Sequence, residues 1–330
     1  MISYQWCSEL EPEDRDEVLG LVAAAADFDE EAGFSKIHPA DVTATSDGSG
    51  TIFHLPVQAR RDLSAREDAP LVTVAYLHLK VDAEGYGTVQ FVVHPDYRSR
   101  GVATTLVEEM GLDAAVEGGW QGTGAHALRC WAYSTHPAAD RLTRRFDIRA
   151  AGRLWTIFRH LSGPFAHSLE PVTEFDDATI GTPLALGDAA AREAIDHVLD
   201  ASSLPAVQRE RLLDEIRLGN GHVVVAEDAS GKPAGFVWYD PALSMHLELR
   251  AAWIRALVLA DAVRGSGLGA GLLTSALGAL RGAGAQVGLM RIDPDNAAAV
   301  RMCRLMWFEQ EEEHSCFQVG DWVGIPGFRR

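Results

Sequence analysis

Two short stretches of this chain combine arginine and glycine at a spacing suited to holding an anion. The first is Arg98-Ser99-Arg100-Gly101-Val102-Ala103-Thr104, the second Arg264-Gly265-Ser266-Gly267-Leu268-Gly269-Ala270. Both fit the pattern Arg-x-x-Gly-x-Gly/Ala, and they lie about half the chain apart. Glycine or alanine at these places lets backbone approach a bulky ligand closely. A helix starting there presents unpaired N–H groups and the positive end of its dipole. That combination cradles phosphate oxygens. One copy is a weak signal; two copies in the same context are a strong one.

A third block, Asp295-Asn296-Ala297-Ala298-Ala299-Val300-Arg301-Met302-Cys303-Arg304-Leu305-Met306-Trp307-Phe308, opens on an asparagine able to cap a helix. By itself it reads as a capped core helix. Tyr133 and His136 are the groups of the first half that look able to do chemistry, although His136 precedes Pro137 and can equally shape a turn. Cys7, Cys130, Cys303 and Cys316 show neither CxxC nor Cys/His metal spacing, so no metal is expected.

Elements must bring these groups to their places. The apolar run Val89-Gln90-Phe91-Val92-Val93 precedes the first loop and a helical period from Thr105 to Met110 follows it. The run Ile254 to Leu259, with Leu257-Val258-Leu259 at its end, precedes the second loop, and Leu272, Leu273, Ala276 and Leu277 follow. The spacing predicts helices over Glu13–Ala26 and near Pro39, a turn-rich break at Ser46–Gly50 and a strand from Leu71. A turn at Asp82–Gly87, a strand over Ala127–Tyr133, a helical stretch from Ser134 and a strand Arg153–Phe158 complete the first half. The second half reads as a linker and entry strand over Ser162–Asp177, then helices Leu186–Leu199 (Asp188 as N-cap) and Ala206–Leu218. A hairpin over Val223–Trp238 and a strand near Leu247–Leu257 follow. Beyond the second loop come a strand Val287–Ile292, a helix Asn296–Met306, a strand near Ser315–Val319 and a loose tail from Asp321.

The chain has 330 residues, 47% hydrophobic and 23% charged, the profile of a soluble globular protein with room for two domains. Its formal net charge of −18 argues against a nucleic-acid partner, which requires clustered Lys and Arg. The surplus acid either favours an amine substrate or simply keeps the chain soluble. No apolar run reaches the roughly 18 residues of a membrane span. The acidic start (Glu9, Glu11, Glu13, Asp14) lacks signal-peptide features. The expectation is a cytoplasmic monomer with no membrane partner.

The paired loops resemble motif A of the GNAT acetyltransferase superfamily, where the loop holds the pyrophosphate of acetyl-CoA. The resemblance implies an α/β (α+β) chain of two tandem GNAT acyltransferase domains, 1–163 and 164–330, each a mixed, mostly antiparallel twisted sheet flanked by helices. It implies acetyl-CoA as donor. The coenzyme would be bound by Phe91, Val92, Val93 and Arg98 to Thr104, by Leu257, Val258, Leu259 and Arg264 to Ala270, and by Asn296 to Arg301. In the block from Asp295, Asn296, Ala299 and Phe308 match the family pattern. Cys303 stands where a tyrosine faces the thioester sulfur, and Trp307 where a glycine is usual.

Further stretches resemble the mycothiol synthase family of tandem GNAT enzymes: Trp131-Ala132-Tyr133 with His136-Pro137-Ala138-Ala139, Arg153 to Leu161, Gly235-Phe236-Val237-Trp238, and Asp295 to Arg301. This implies acetyl transfer to the cysteinyl amine of desacetylmycothiol (Cys-GlcN-Ins), the last step of mycothiol biosynthesis, by the second half, the first half binding acetyl-CoA without turnover. The sequence also departs from that family. Trp253 falls where an acidic residue is usual, with Glu248 upstream, and Asp240 falls where a lysine is usual. Glu248 is the candidate base and Cys303 the candidate proton donor to the leaving thiolate; Val92 and Val258 are candidate oxyanion donors. Two alternatives remain open: a tandem GNAT enzyme acting on another amine, and a non-catalytic acetyl-CoA sensor.

Overall fold

The computed structural model describes residues 2–29, 37–48, 50–60, 70–135, 137–170, 175, 178–320 and 322. These fall into two units, one built on Met1–Gly152 with His314–Val323 and the other on Arg153–Glu313.

In the N-terminal unit the chain runs β1 (Ile2–Tyr4), α1 (Pro12–Phe28), α2 (Pro39–Val42), β2 (Thr51–Arg60), β3 (Leu71–Val81), β4 (Tyr86–Val93), α3 (Val102–Met110), β5 (Ala127–Ala132) and α4 (Pro137–Arg145). β1 to β4 form an antiparallel meander, and β4 then pairs in parallel with β5. The parallel step needs a crossover, and α3 supplies it. Both faces are covered by the apolar stripes of helices. Val18, Leu21, Val22 and Ala25 of α1 pack with Tyr76 and Val92 on one face. Val102, Leu106 and Met110 of α3 pack with Leu77, Leu79 and Val81 on the other. The sequence reading contains neither β1 nor β2, since Pro56 interrupts the pattern of β2 and argues against a strand.

The C-terminal unit repeats the plan. Its elements are β6 (Arg149–His160) from Arg153 on, β7 (Ala178–Ile180), β8 (Leu184–Ala185), α5 (Ala189–Asp200), α6 (Ala206–Leu218), β9 (His222–Asp228), β10 (Pro233–His246), β11 (Leu249–Leu259), α7 (Leu268–Gly282), β12 (Val287–Ile292), α8 (Ala297–Leu305) and β13 (Glu309–Gly320) as far as Glu313. β9, β10 and β11 are antiparallel, and β11 pairs in parallel with β12. α7 buries Leu268, Leu272, Leu273, Ala276 and Leu277 against Val237, Ile254 and Met290. α5 buries Ile195, Val198 and Leu199 against Phe236, Trp238 and Val258 on the opposite face. Asp188 occupies the N-cap position of α5, but its carboxylate accepts the N–H of Ala185 at 3.1 Å and makes no cap bond.

The last edge of each sheet is taken by a strand from the other half of the sequence. The strand expected to close the first half lies against β12, with Trp155 opposite Ile292 and His160 opposite Val287. Ser315–Gly320 of β13 lies along β5 of the N-terminal unit. Hydrophobic pattern marks both segments as strands, yet nothing local in them names the partner.

Candidate active site: two forked strand pairs

The two loops fold alike, residue for residue. Arg98 and Arg264 are extended (φ −65° and −66°), and the next residues, Ser99 and Gly265, are left-handed (φ 60° and 84°). Gly101 and Gly267 are left-handed again (φ 85° and 87°) at the N-caps of α3 and α7. A glycine is needed at these caps because a Cβ there strains the backbone. A Cβ built on Gly101 meets nothing within 4 Å, and one on Gly267 meets only Phe175 at 3.9 Å. The space over each helix N-terminus is open, which fits a pyrophosphate.

Beside each loop the parallel strand pair comes apart. β4 and β5 stay paired only as far as Val89 and Cys130, although β4 runs on to Val93. β11 and β12 stay paired only as far as Ile254 and Met290, although β11 runs on to Leu259. Each fork leaves a strand edge free to bond a ligand. The register settles which residues use that edge. The N–H of His94 donates to Val74 while Val93 lies opposite Ala75, so Phe91 and Val93 turn their backbone groups away from β3. Likewise the N–H of Ala260 donates to Ala234 while Leu259 lies opposite Gly235, so Leu257 and Leu259 face the fork. Val92 and Val258 point the other way, into the ladder, and cannot donate to an oxyanion. That expectation is corrected.

The arginines do different work in the two loops. Arg98 donates to both oxygens of Asp29 (2.6 and 2.8 Å) and through Nε to the Val93 carbonyl (3.1 Å), with its guanidinium over the Phe28 ring. Asp29 is 3% exposed. Arg98 therefore ties α1 to the end of β4 rather than waiting for a phosphate. Arg264 is half-exposed and pairs with Asp261 at 2.9 Å, a link that solvent screens. Arg100 is exposed beside the Tyr97 ring.

The faces opposite α3 and α7 also differ. In the N-terminal unit that face carries a dry polar network. His54 Nδ1 lies 2.6 Å from the Tyr76 hydroxyl and its Nε2 lies 2.9 Å from the Ala44 carbonyl. A carbonyl only accepts, so Nε2 bears the proton and Tyr76 donates to Nδ1. Gln90, the first residue past the fork, donates to Asp41 at 3.2 Å. His54, Tyr76, His78 and Asp41 are all buried, and burial lowers the pKa of His54 and raises that of Tyr76.

In the C-terminal unit the same face is charged and only partly buried. The β10–β11 register slips between Trp238/Ala256 and Tyr239/Ile254, leaving Arg255 as the extra residue of a bulge. Arg255 reaches Asp240 at 3.3 Å. Arg291, the first residue of β12 past the fork, reaches Glu215 of α6 at 3.3 Å, and Arg211 one turn earlier on α6 grips the same Oε1. The guanidiniums of Arg255 and Arg291 lie 5.4 and 5.1 Å from the Trp253 ring. Burial alone would raise the pKa of Glu215, but Arg211, Arg291 and Arg255 together pull it below the ordinary value. The sequence reading named Asp240 and Trp253 only as departures from the family and missed Arg211, Glu215, Arg255 and Arg291. The available signal was a lone arginine inside each of two apolar strands, together with an Arg/Glu pair at i,i+4 on α6.

Other expected site residues fall elsewhere. Glu248 is exposed in the β10–β11 turn with φ 65°, ten residues along β11 from Val258, a separation of about 30 Å at strand rise. It is too far from the fork to touch a reacting amine. Cys303 is 2% exposed in the core under α7, and burial pushes its thiol up to about 12. It packs, and does not face the fork. Asn296 caps α8, whose first residues are Ala297, Ala298, Ala299, Val300 and Arg301, by accepting the Ala299 N–H at 3.1 Å. Tyr133 packs its ring on His314, and His136 lies outside the described residues. Among the described residues there is no cluster of three or more His, Cys, Asp or Glu placed to hold a metal. No described helix is long and apolar enough to cross a membrane.

Comparison with known proteins agrees with this geometry. The model of the acetyltransferase (GNAT) family matches residues 191–306, which span α5 to α8. A mycothiol acetyltransferase of Saccharomonospora viridis is 28% identical over 94% of this chain and 97% of its own length. A mycothiol acetyltransferase of Salinispora tropica is 30% identical, with 74% of this chain and 77% of the relative aligned. The chain belongs to the mycothiol acetyltransferase family. Members of this family are N-acetyltransferases, and the two forked units are its tandem GNAT domains. A tandem GNAT protein from the clavulanic acid biosynthesis pathway shares the fold over 97% of this chain and 98% of its own, with a TM-score of 0.66 at 16% identity.

Proposed function

We propose that the protein transfers acetyl from acetyl-CoA to the cysteinyl amine of desacetylmycothiol, and that the fork of the C-terminal unit carries the reaction. The observation behind this reading is the contrast between the two forks. One opens on a partly buried set of charged groups whose carboxylates, Glu215 and Asp240, keep 23% and 19% of their side-chain surface exposed, the other on a buried network whose carboxylate, Asp41, is 1% exposed. An amine must lose a proton to attack a thioester, so the fork with the more exposed carboxylates is the one fitted to the chemistry.

The roles follow from placement. The loop Gly265 to Ala270 at the N-terminus of α7 holds the pyrophosphate and α8, capped by Asn296, flanks the pantetheine arm. The backbone of the loop Ser99 to Thr104 binds a second coenzyme without turnover. The N–H groups of Leu257 and Leu259 receive the oxyanion as the amine nitrogen bonds to the carbonyl carbon. Glu215, whose Oε1 is held by Arg211 and Arg291, is the carboxylate that takes the amine proton through water. Asp240, directly across the ladder from Trp253, is the second carboxylate within reach. The C–S bond then breaks, and the thiolate recovers a proton from water. The three guanidiniums oppose polyamines and other polycations as acceptors. They leave one competing reading, an amine that carries its own carboxylate.

The test measures acetylation of Cys-GlcN-Ins by the wild type, Gly101→Glu and Gly267→Glu, with folding checked by circular dichroism. Loss of turnover in Gly267→Glu alone supports the reading. A wild type that binds acetyl-CoA but leaves Cys-GlcN-Ins unmodified sinks it, and a parallel panel of amino acids then tests the competing one.

A further inference from the structure

A cavity of about 130 Å³ opens in the C-terminal unit beside the end of α8. Its walls include Arg159 of β6, Phe165 and His167 of the following loop, and Arg304, Trp307 and Glu309. It is separate from the coenzyme loop. Gly267 precedes the first turn of α7, whereas Arg281, whose charge acts on Arg159, is in the last turn. At about 1.5 Å per residue the two ends are roughly 20 Å apart.

Arg159 is the reason to read this cavity as a site. It is 4% exposed. Its Nη2 donates to the carbonyls of His167 (3.4 Å) and Ser168 (3.0 Å), while its Nε–H has no partner and no described carboxylate bonds it. Burial and the neighbouring Arg281 pull its pKa down. A buried cation without a counter-ion is costly, and native structures pair such charges. Arg159 lines the cavity, which leaves room beside it for that counter-ion.

The walls narrow the chemistry. The His167 and Trp307 rings stack at 3.8 Å and 10°. Trp307 is held at φ 62°, a conformation rare for a bulky residue and one that clusters at functional sites. Phe165 adds a second ring, and Arg304 a second cation. These surfaces suit an apolar body attached to one planar anion, which a guanidinium binds well. Glu309 on the rim disfavours a dianion. The volume equals about four waters of liquid, enough for a small acid.

We propose that this cavity is a second binding site, distinct from the acetyl-transfer fork, for a small monocarboxylate with an apolar body, anchored by Arg159 and covered by Trp307. The site does not depend on which amine the fork acetylates.

The experiment is calorimetric titration and thermal unfolding of the full chain with sodium benzoate, sodium propionate and inorganic phosphate, at ionic strength matched with chloride. The expected result is saturable binding of benzoate, weaker binding of propionate, and a rise in Tm that follows occupancy. Arg159→Met should weaken benzoate binding at least tenfold. Because that variant also loses two carbonyl bonds, Trp307→Gly and Arg304→Gln are run beside it, and acetyl-CoA binding is titrated in each as a folding control. Benzoate indistinguishable from chloride in the wild type overturns the proposal. So does phosphate binding as tightly as benzoate, or undiminished benzoate affinity in Trp307→Gly and Arg304→Gln variants that still bind acetyl-CoA.

Discussion

Arg98 and Arg264 occupy the same place in two copies of one motif, yet only the second remains available to a ligand. The bidentate grip of Asp29 on Arg98 is nearly buried, so breaking it strands a charge. Asp29→Ala should lower stability by about 2–3 kcal/mol in urea denaturation while leaving the acetyl-CoA affinity of the C-terminal unit unchanged. Ser99 has the left-handed conformation that Gly265 has in the other loop. Ser99→Gly should therefore gain on the order of 0.5–1 kcal/mol, the relief of Cβ strain less the extra entropy of glycine. Cys303 gives a third prediction. A thiol buried in the core and pushed up to about 12 should react with iodoacetamide at pH 8 only as fast as the protein unfolds. Cys303→Ala should cost about 1–2 kcal/mol and spare kcat. A fall in kcat would return it to the catalytic set.

At the scale of elements, α6 matters for what it hangs over the fork. Its Glu215 is held below the ordinary glutamate pKa by Arg211, Arg291 and Arg255, against the effect of burial. A depressed folded pKa means the carboxylate contributes stability above its unfolded pKa, near 4.3, and loses it as pH falls through the lower folded value. The stability difference between wild type and Glu215→Gln should be constant from pH 7 to about 5 and shrink below about 4. Urea midpoints across that range measure it, and a difference that grows on acidification would contradict the assignment. The bulge at Arg255 belongs to the same scale. One extra residue puts Arg255 and Ala256 on the α6 side of the strand, which is why a cation stands at the fork.

For the whole molecule, the strand exchange carries the main consequence. Because Ser315–Gly320 completes the N-terminal sheet, removing residues 309–330 should destabilise the unit that lies farthest away in sequence. Hydrogen exchange of the truncated chain should show lost protection in β5, and a synthetic 309–323 peptide should restore it. Unchanged protection in β5 would mean that the pairing adds little to that sheet.

Sequence alone determined the local grammar. The two Arg-x-x-Gly loops, the helices that follow them and the apolar strands before them stand where periodicity and glycine placement put them, because strand, turn and helix starts depend on neighbours a few residues apart. The doubled motif and the block at Asn296 were enough to reach the family. The tertiary structure decided whatever depends on long-range partners. Asp29 meeting Arg98, Glu215 meeting Arg291 and the burial of Cys303 depend on contacts across large sequence separations. No local pattern encodes them. The strand that closes each sheet was hidden for the same reason, since an edge strand's sequence specifies which face is apolar but not which neighbour it will pair with.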